Sequence, residues 1–195
     1  SIPLDQSSDS RRSRASGSDN FIGKVRSDRK ATEYTLYDDG ASPEDNKNDC
    51  ELRREFLYVS FTNSLRNRQP GAMIVVTPDF SSNREALVVR PKSSNETMAS
   101  RSLRQQYDGY AVLKNREPKW NPSANMYQLD FGGRASMASC KNIQLHRVNG
   151  PDGDVCFLMG KVEENKFNVD FKQPFSCLQA FAFALIVFAT PSGSL

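Results

Sequence analysis

The run from Phe175 to Ala189, FSCLQAFAFALIVFA, constrains this fold more than any other stretch of the chain. Only Ser176 and Gln179 are plainly polar, so a helix built from it is apolar on every side and has to be surrounded by protein. Pro174 suits the first turn, where its missing N–H costs nothing, and Pro191 and Gly193 mark the end, so the helix is predicted over residues 174–189. At 1.5 Å per residue it is roughly 22 Å long, short of the roughly 20 apolar residues needed to cross a bilayer. A transmembrane anchor is the alternative; the length favours a central core helix.

What precedes it is a series of short β-rich runs. Strands are predicted at Phe21–Arg26, Glu33–Tyr37, Glu55–Phe61, Ala72–Thr77, Ala86–Arg90, Tyr110–Lys114, Met126–Phe131, Asn142–Arg147, Val155–Val162 and Lys166–Phe171. Several alternate apolar and polar residues, which puts Leu129, Phe131, Phe157, Met159, Phe167 and Val169 on an inward face, with Trp120 at least partly buried. Turn signals such as Asp39-Gly40, Gln69-Pro70-Gly71 and Gly132-Gly133 separate the runs. Residues 41–54 and 62–71 read as polar loops, and Thr97–Gln106 as a short helix. The fold class is therefore mainly β: an antiparallel barrel wrapped around a hydrophobic C-terminal helix. At 195 residues it forms one domain, 1–195, with residues 1–19 a flexible polar arm. With the helix central, Phe181→Asp or Leu185→Asp is expected to prevent folding.

Catalytic and metal chemistry find no residues to carry them. The lone histidine, His146, sits in an alternating run, and no GxSxG, P-loop or HExxH motif occurs. The four cysteines, Cys50, Cys140, Cys156 and Cys177, lack a CxxC pair and are too sparse for a disulfide scaffold. They read as reduced, mostly buried thiols of a cytosolic or nuclear protein. Neither cofactor nor metal is expected, and the polar stretch from Ser1 to Asp19 shows no signal-peptide pattern. It begins at Ser1 without Met and is expected to be a piece of something longer.

Charge is more informative. Residues 1–30 hold seven basic side chains against four acids, and the rest of the chain balances at nineteen of each, so the whole net charge of +3 lies in this stretch. In an extended FIGKVRS strand Lys24 and Arg26 project from one face, with Cα atoms roughly 7 Å apart, and Val25 from the other. Two cations so spaced can hold adjacent phosphates, lysine as a point charge and arginine as a fork. Taken by itself, the pair reads first as an ordinary exposed basic pair on a strand.

Five runs decide between these readings: FIGKVRSD, EYTLYDDG, PGAMIVVTP, PKWNPSANMYQLDFGGRASMASCKNIQL and GKVEENKFNVDFKQPFSCLQAFAFAL. In this order, over residues 20–189, they resemble the C-terminal domain of the tubby family. The resemblance implies a closed barrel of about twelve strands around a central helix. It also implies a membrane-docking module, not an enzyme, that binds a phosphatidylinositol bisphosphate headgroup through the lysine and arginine at Lys24 and Arg26. The implied setting is the inner face of the plasma membrane, with release to the nucleus or delivery of receptor cargo to cilia, as a monomer.

Two departures stand out. A further basic ligand of the family lies in a Pro-Arg-Lys-Met run, matched here by Pro70-Gly71-Ala72-Met73, so Arg66 or Arg68 is expected to compensate for Gly71 or affinity falls, and Arg90 is expected to help the headgroup contacts less strongly. The family domain also begins upstream of Ser1, so the sheet is expected to lack its first strands and to expose unpaired edges. A nucleic-acid-binding regulator using the same basic face is the alternative function. Single-strand readers need interleaved aromatics, and Phe21 is the only one near the pair. A scramblase-like relative is a third reading.

Overall fold

The structure, a computed structural model, describes residues 21–45, 47–62, 72–80, 85–123, 125–151 and 154–190. Ten strands and two α-helices follow one another: β1 (Lys24–Ser27), β2 (Glu33–Tyr37), β3 (Glu55–Thr62), β4 (Ala72–Pro78), α1 (Met98–Leu103), β5 (Tyr110–Asn115), β6 (Lys119–Asn121), β7 (Met126–Gln128), β8 (Ile143–Arg147), β9 (Val155–Glu163), β10 (Lys166–Phe171) and α2 (Cys177–Ala189). Eight of the strands form one antiparallel sheet, ordered β1-β2-β3-β4-β5-β8-β9-β10, and β6 with β7 makes a separate hairpin. Every neighbour is the next strand in the chain once the hairpin is set aside, so the sheet is a simple meander.

The meander curls around α2, which touches β2, β3 and β10. One core fills the inside: Leu57, Val59, Val75, Leu113, Leu145, Phe157 and Met159 from the strands meet Phe183, Ile186 and Val187 of the helix. Phe183 packs edge-on to Phe157, with ring centroids 4.8 Å apart. A second, smaller cluster of Tyr58, Val76, Val89 and Met98 lies on the outer face, under α1. With cover on both faces, β4 has no reason to alternate, and its run Met73-Ile74-Val75-Val76 is apolar throughout.

Strand direction alternates, so the starts of β1, β3, β5 and β9 share one rim, here the lower rim, with the ends of β2, β4, β8 and β10. The helix starts at that rim: the Gln179 amide donates to Phe56 O at 2.7 Å and to Thr77 Oγ1 at 2.6 Å. It ends at the upper rim, where Lys141 Nζ donates to Val187 O at 2.6 Å and Thr190 O at 2.9 Å.

The mainly β architecture, the central position of the C-terminal helix and the unpaired edges agree with the sequence reading. Several particulars differ. Among the described residues the sheet is not closed: β1 and β10 each have one neighbour, and no described strand covers the helix face between them. That face is Phe181, Leu185 and Phe188, spaced as one stripe and 64%, 49% and 49% exposed. The expected burial of Phe181 and Leu185 is thus corrected. Val169, opposite Met159 and on the inward face, is 37% exposed because β10 is an edge. Helix α2 begins at Cys177 and not at Pro174, because Ser176 caps it: Ser176 Oγ accepts from Gln179 N, and Gln179 Oε1 accepts from Ser176 N at 2.7 Å.

Residues 86–90 form no ladder beyond a single bridge from Ala86 to Phe80, and Leu129 and Phe131 lie past the end of β7. Trp120 is half exposed on β6, a strand absent from the sequence reading. Of the thiols only Cys156 is buried; Cys50, Cys140 and Cys177 are exposed. Among the described residues no helix is long and apolar enough to cross a membrane.

The two sides of α2 predict unequal substitutions. Phe183→Ala should lower unfolding free energy by about 3–5 kcal/mol, as for a large side chain deleted from a packed core. Phe181→Ala should change it by only about 0.5 kcal/mol. Phe181→Asp should leave this chain folded. Urea denaturation of the three variants followed by circular dichroism checks all three.

Candidate anion-binding site

At the lower rim, β1 and β2 pair with Lys24 opposite Tyr37 and Arg26 opposite Thr35, while Val25 lies opposite the buried Leu36. Lys24 and Arg26 therefore leave the sheet on its outer face, and Val25 turns inward, as the alternation requires. Tyr37 carries a third cation: the Arg53 guanidinium lies over its ring, 4.3 Å from the centroid. Burial pushes the Lys24 ammonium below the ordinary lysine value, and the charges of Arg26 and Arg53 push it the same way, against a smaller pull from Asp38 and Asp39. Lys24, Arg26 and Arg53 form no ion pair or side-chain hydrogen bond with any described residue. Three like charges thus share one patch without a bonded counter-ion among the described residues.

Local backbone chemistry makes this possible. Gly23 lies so close to β2 that a Cβ there would stand 2.9 Å from Tyr37 O. Gly40 is tighter still, for a Cβ would meet Arg53 Cα at 2.3 Å. With that space open, Arg53 N donates to Ala41 O at 2.9 Å and Ala41 N to Glu51 O at 2.8 Å, which holds Arg53 beside the end of β2. Asp38, the nearest acid after β2, is occupied: its Oδ1 accepts from Gly40 N at 2.9 Å and Arg54 N at 2.8 Å. It therefore shapes the turn, and its carboxylate is not bonded to the cations.

Arg90 is close in the fold but differently employed. Its Nη1 donates to the carbonyl of Leu52, so it braces the residue before Arg53. Glu55 anchors the same segment: Glu55 N donates to Val89 O at 2.9 Å, and Glu55 Oε2 accepts from Met98 N at 2.6 Å. Burial pushes the Glu55 carboxyl up, while the Met98 N–H and Arg53 pull it down. Arg66, Arg68 and Gly71 lie outside the described residues, as does the arm of residues 1–19. Arg53 was not among the residues expected from the sequence. Its signals were there: an arginine just ahead of a strand, and an Asp-Gly turn at 39–40 that brings the chain back to it. His146, the lone histidine, lies on β8 as a partly buried strand residue.

A model of the Tub family matches residues 4–190. The chain is 35% identical to human "Tubby-related protein 1" over 175 residues, which is 88% of this chain and 32% of that protein. It is 35% identical to mouse "Tubby-related protein 2" over 173 residues, 87% of this chain and 31% of the relative. To "Tubby protein homolog 1" of Caenorhabditis elegans it is 33% identical over 174 residues, 86% of this chain and 41% of the relative. The chain thus spans about a third of the length of these mammalian relatives.

Glu55 gives a pH test of the scaffold under Arg53. A carboxyl whose folded-state pKa is raised costs stability above its unfolded value near 4.5, and that cost disappears as pH falls through it. Glu55→Gln keeps an acceptor for Met98 N and removes the charge. Its melting temperature should rise relative to wild type between about pH 4 and about pH 7. Glu55→Ala, which leaves the Met98 N–H without its acceptor, should cost about 1–3 kcal/mol.

Proposed function

The chain belongs to the Tub family, and from that premise we propose that its lower rim binds the phosphates of an inositol-lipid headgroup and so docks the protein on a membrane surface. The observation that carries this reading is the patch of Lys24, Arg26 and Arg53, three cations on one outward face with no ion-pair partner among the described residues. A bisphosphate headgroup supplies the missing counter-charge. Lys24 acts as a compact charge between phosphate oxygens, and Arg26 and Arg53 as planar forks on either side. Tyr37 holds the Arg53 fork in place before the ligand arrives, so less side-chain freedom is lost on binding. Arg90 serves as a brace for the Arg53 segment.

The nucleic-acid reading is weaker at this end. Stacking needs an open aromatic face, and the face of Tyr37 is covered by Arg53. Docking on the cytoplasmic leaflet, carriage of a membrane-receptor cargo, and passage to cilium or nucleus complete the proposal for an adaptor that acts as a monomer.

Vesicle sedimentation tests it. Each charge-assisted contact is worth about 1.5–3 kcal/mol, so Lys24→Ala combined with Arg26→Ala should weaken binding to phosphatidylinositol bisphosphate vesicles at least about tenfold, and Arg53→Ala alone should have an effect of similar size. Phosphatidylserine vesicles should bind more weakly, and added salt should weaken both. Affinity should also fall in alkaline solution before an ordinary lysine titrates at 10.5, because Lys24 loses its proton early. Equal binding by wild type and the double variant on bisphosphate vesicles would overturn the reading.

A further inference from the structure

The upper rim holds a cavity of about 1120 Å³, at the opposite end of the strands from Lys24, Arg26 and Arg53. It lies between the β6–β7 hairpin, the segment 129–142 and the strand ends at Asn115 and Ile143. Its volume is at the upper end for a ligand pocket, and its walls are tied in place despite carrying little regular structure. Arg134 makes a two-pronged ion pair with Asp170, at 2.6 and 2.8 Å. Ser136 Oγ donates to Val162 O at 2.7 Å, and the Asn142 amide donates to Met137 O at 2.8 Å. These bonds hold the cavity wall from within the chain.

Its lining combines apolar bulk with an excess of positive charge. Trp120, Leu129, Phe131 and Met137 supply the apolar part. Arg116 and Lys119 are the cations; Asp130 is the one acid, and its Oδ1 already accepts from Gly132 N at 2.8 Å. Arg116 is held at the wall, its Nη1 donating to Gln144 Oε1 at 3.2 Å, while the buried Gln144 amide donates in turn to Asp130 O at 2.6 Å. Lys119 is exposed, and its ammonium group has no hydrogen-bond or ion-pair partner among the described residues. Two cations beside a half-exposed indole and a patch of Leu, Phe and Met fit a ligand with carboxylates flanking a bulky apolar group. A single-stranded nucleic acid fits less well, because among the described residues Arg116 and Lys119 are the only cations lining the cavity and do not continue as a basic track.

We propose that this upper-rim cavity docks an acidic peptide segment bearing a bulky apolar side chain, with Arg116 and Lys119 receiving its carboxylates and Trp120 packing against its anchor. The site is independent of the lipid reading, and the two rims can be occupied together.

Trp120 is the sole tryptophan, so its emission reports on the cavity directly. The probe is a capped pentapeptide with a central phenylalanine between paired glutamates; the controls are the same peptide with lysines for glutamates, and a single-stranded thymidine oligonucleotide. The acidic peptide should change the emission saturably, and Lys119→Glu should weaken it at least about tenfold, the loss expected for one charge-assisted contact turned repulsive. The Lys24→Ala/Arg26→Ala variant should bind the peptide like wild type whether or not it still binds vesicles. Anisotropy of a dye-labelled peptide should show lost affinity for Trp120→Ala. No saturable change, an equal response to the lysine peptide, unchanged affinity in Lys119→Glu, or tighter binding of the oligonucleotide would each overturn the proposal.

Discussion

Gln179 is the only amide in α2, and all of its hydrogen-bonding capacity is directed at fixing that helix. Its oxygen closes the capping box with Ser176, and its nitrogen reaches Phe56 O on β3 and Thr77 Oγ1 on β4. A helix of Ala, Phe, Leu, Ile and Val could slide or turn in an apolar sleeve with little change in buried area. One buried amide that must meet its partners removes that freedom, since leaving it unpaired costs about 1–3 kcal/mol. Helix height and rotation follow from it. So does the choice of Phe183 as the residue that meets Phe157, and of Phe181, Leu185 and Phe188 as the stripe left uncovered.

The sequence disclosed those parts of the fold that rest on local periodicity. Alternation marked β2, β8, β9 and β10, and continuous apolar character marked α2. The capping box was also visible, as Ser176 with glutamine three residues on, and would have moved the helix start to Cys177. What was hidden depends on tertiary neighbours. Leu87-Val88-Val89 has the composition of a strand, but Val89 packs over Tyr58 and Val76 on the outer face, so the segment is a cover and not a rung. The inward direction of Val169 followed from register, whereas its exposure followed from β10 being last in the sheet. At the anion site the pair on β1 could be read from spacing alone. Arg53 could not, because it joins that pair only through the approach of Gly40 and the ring of Tyr37.

The antiparallel meander also keeps its two surface features apart. The cation patch forms where β1 begins and β2 ends; the cavity forms where β5 ends and β8 begins. No strand contributes a lining residue to both. The length of the strands separates the two rims, so the candidate sites do not overlap.

The clamp of Lys141 on the last carbonyls of α2 has an electrical consequence. An α-helix carries roughly half an elementary charge of either sign at its ends, and these normally oppose one another at a distance. Here the negative pole is met by an ammonium group, while the first turn, Cys177 to Gln179, contains no acid to offset the positive pole. That pole lies close under the cation patch: a Cβ on Gly23, the residue before Lys24, would stand 3.9 Å from Leu178 Cδ2. The uncompensated positive pole of the helix and the cation patch therefore carry the same sign at the lower rim.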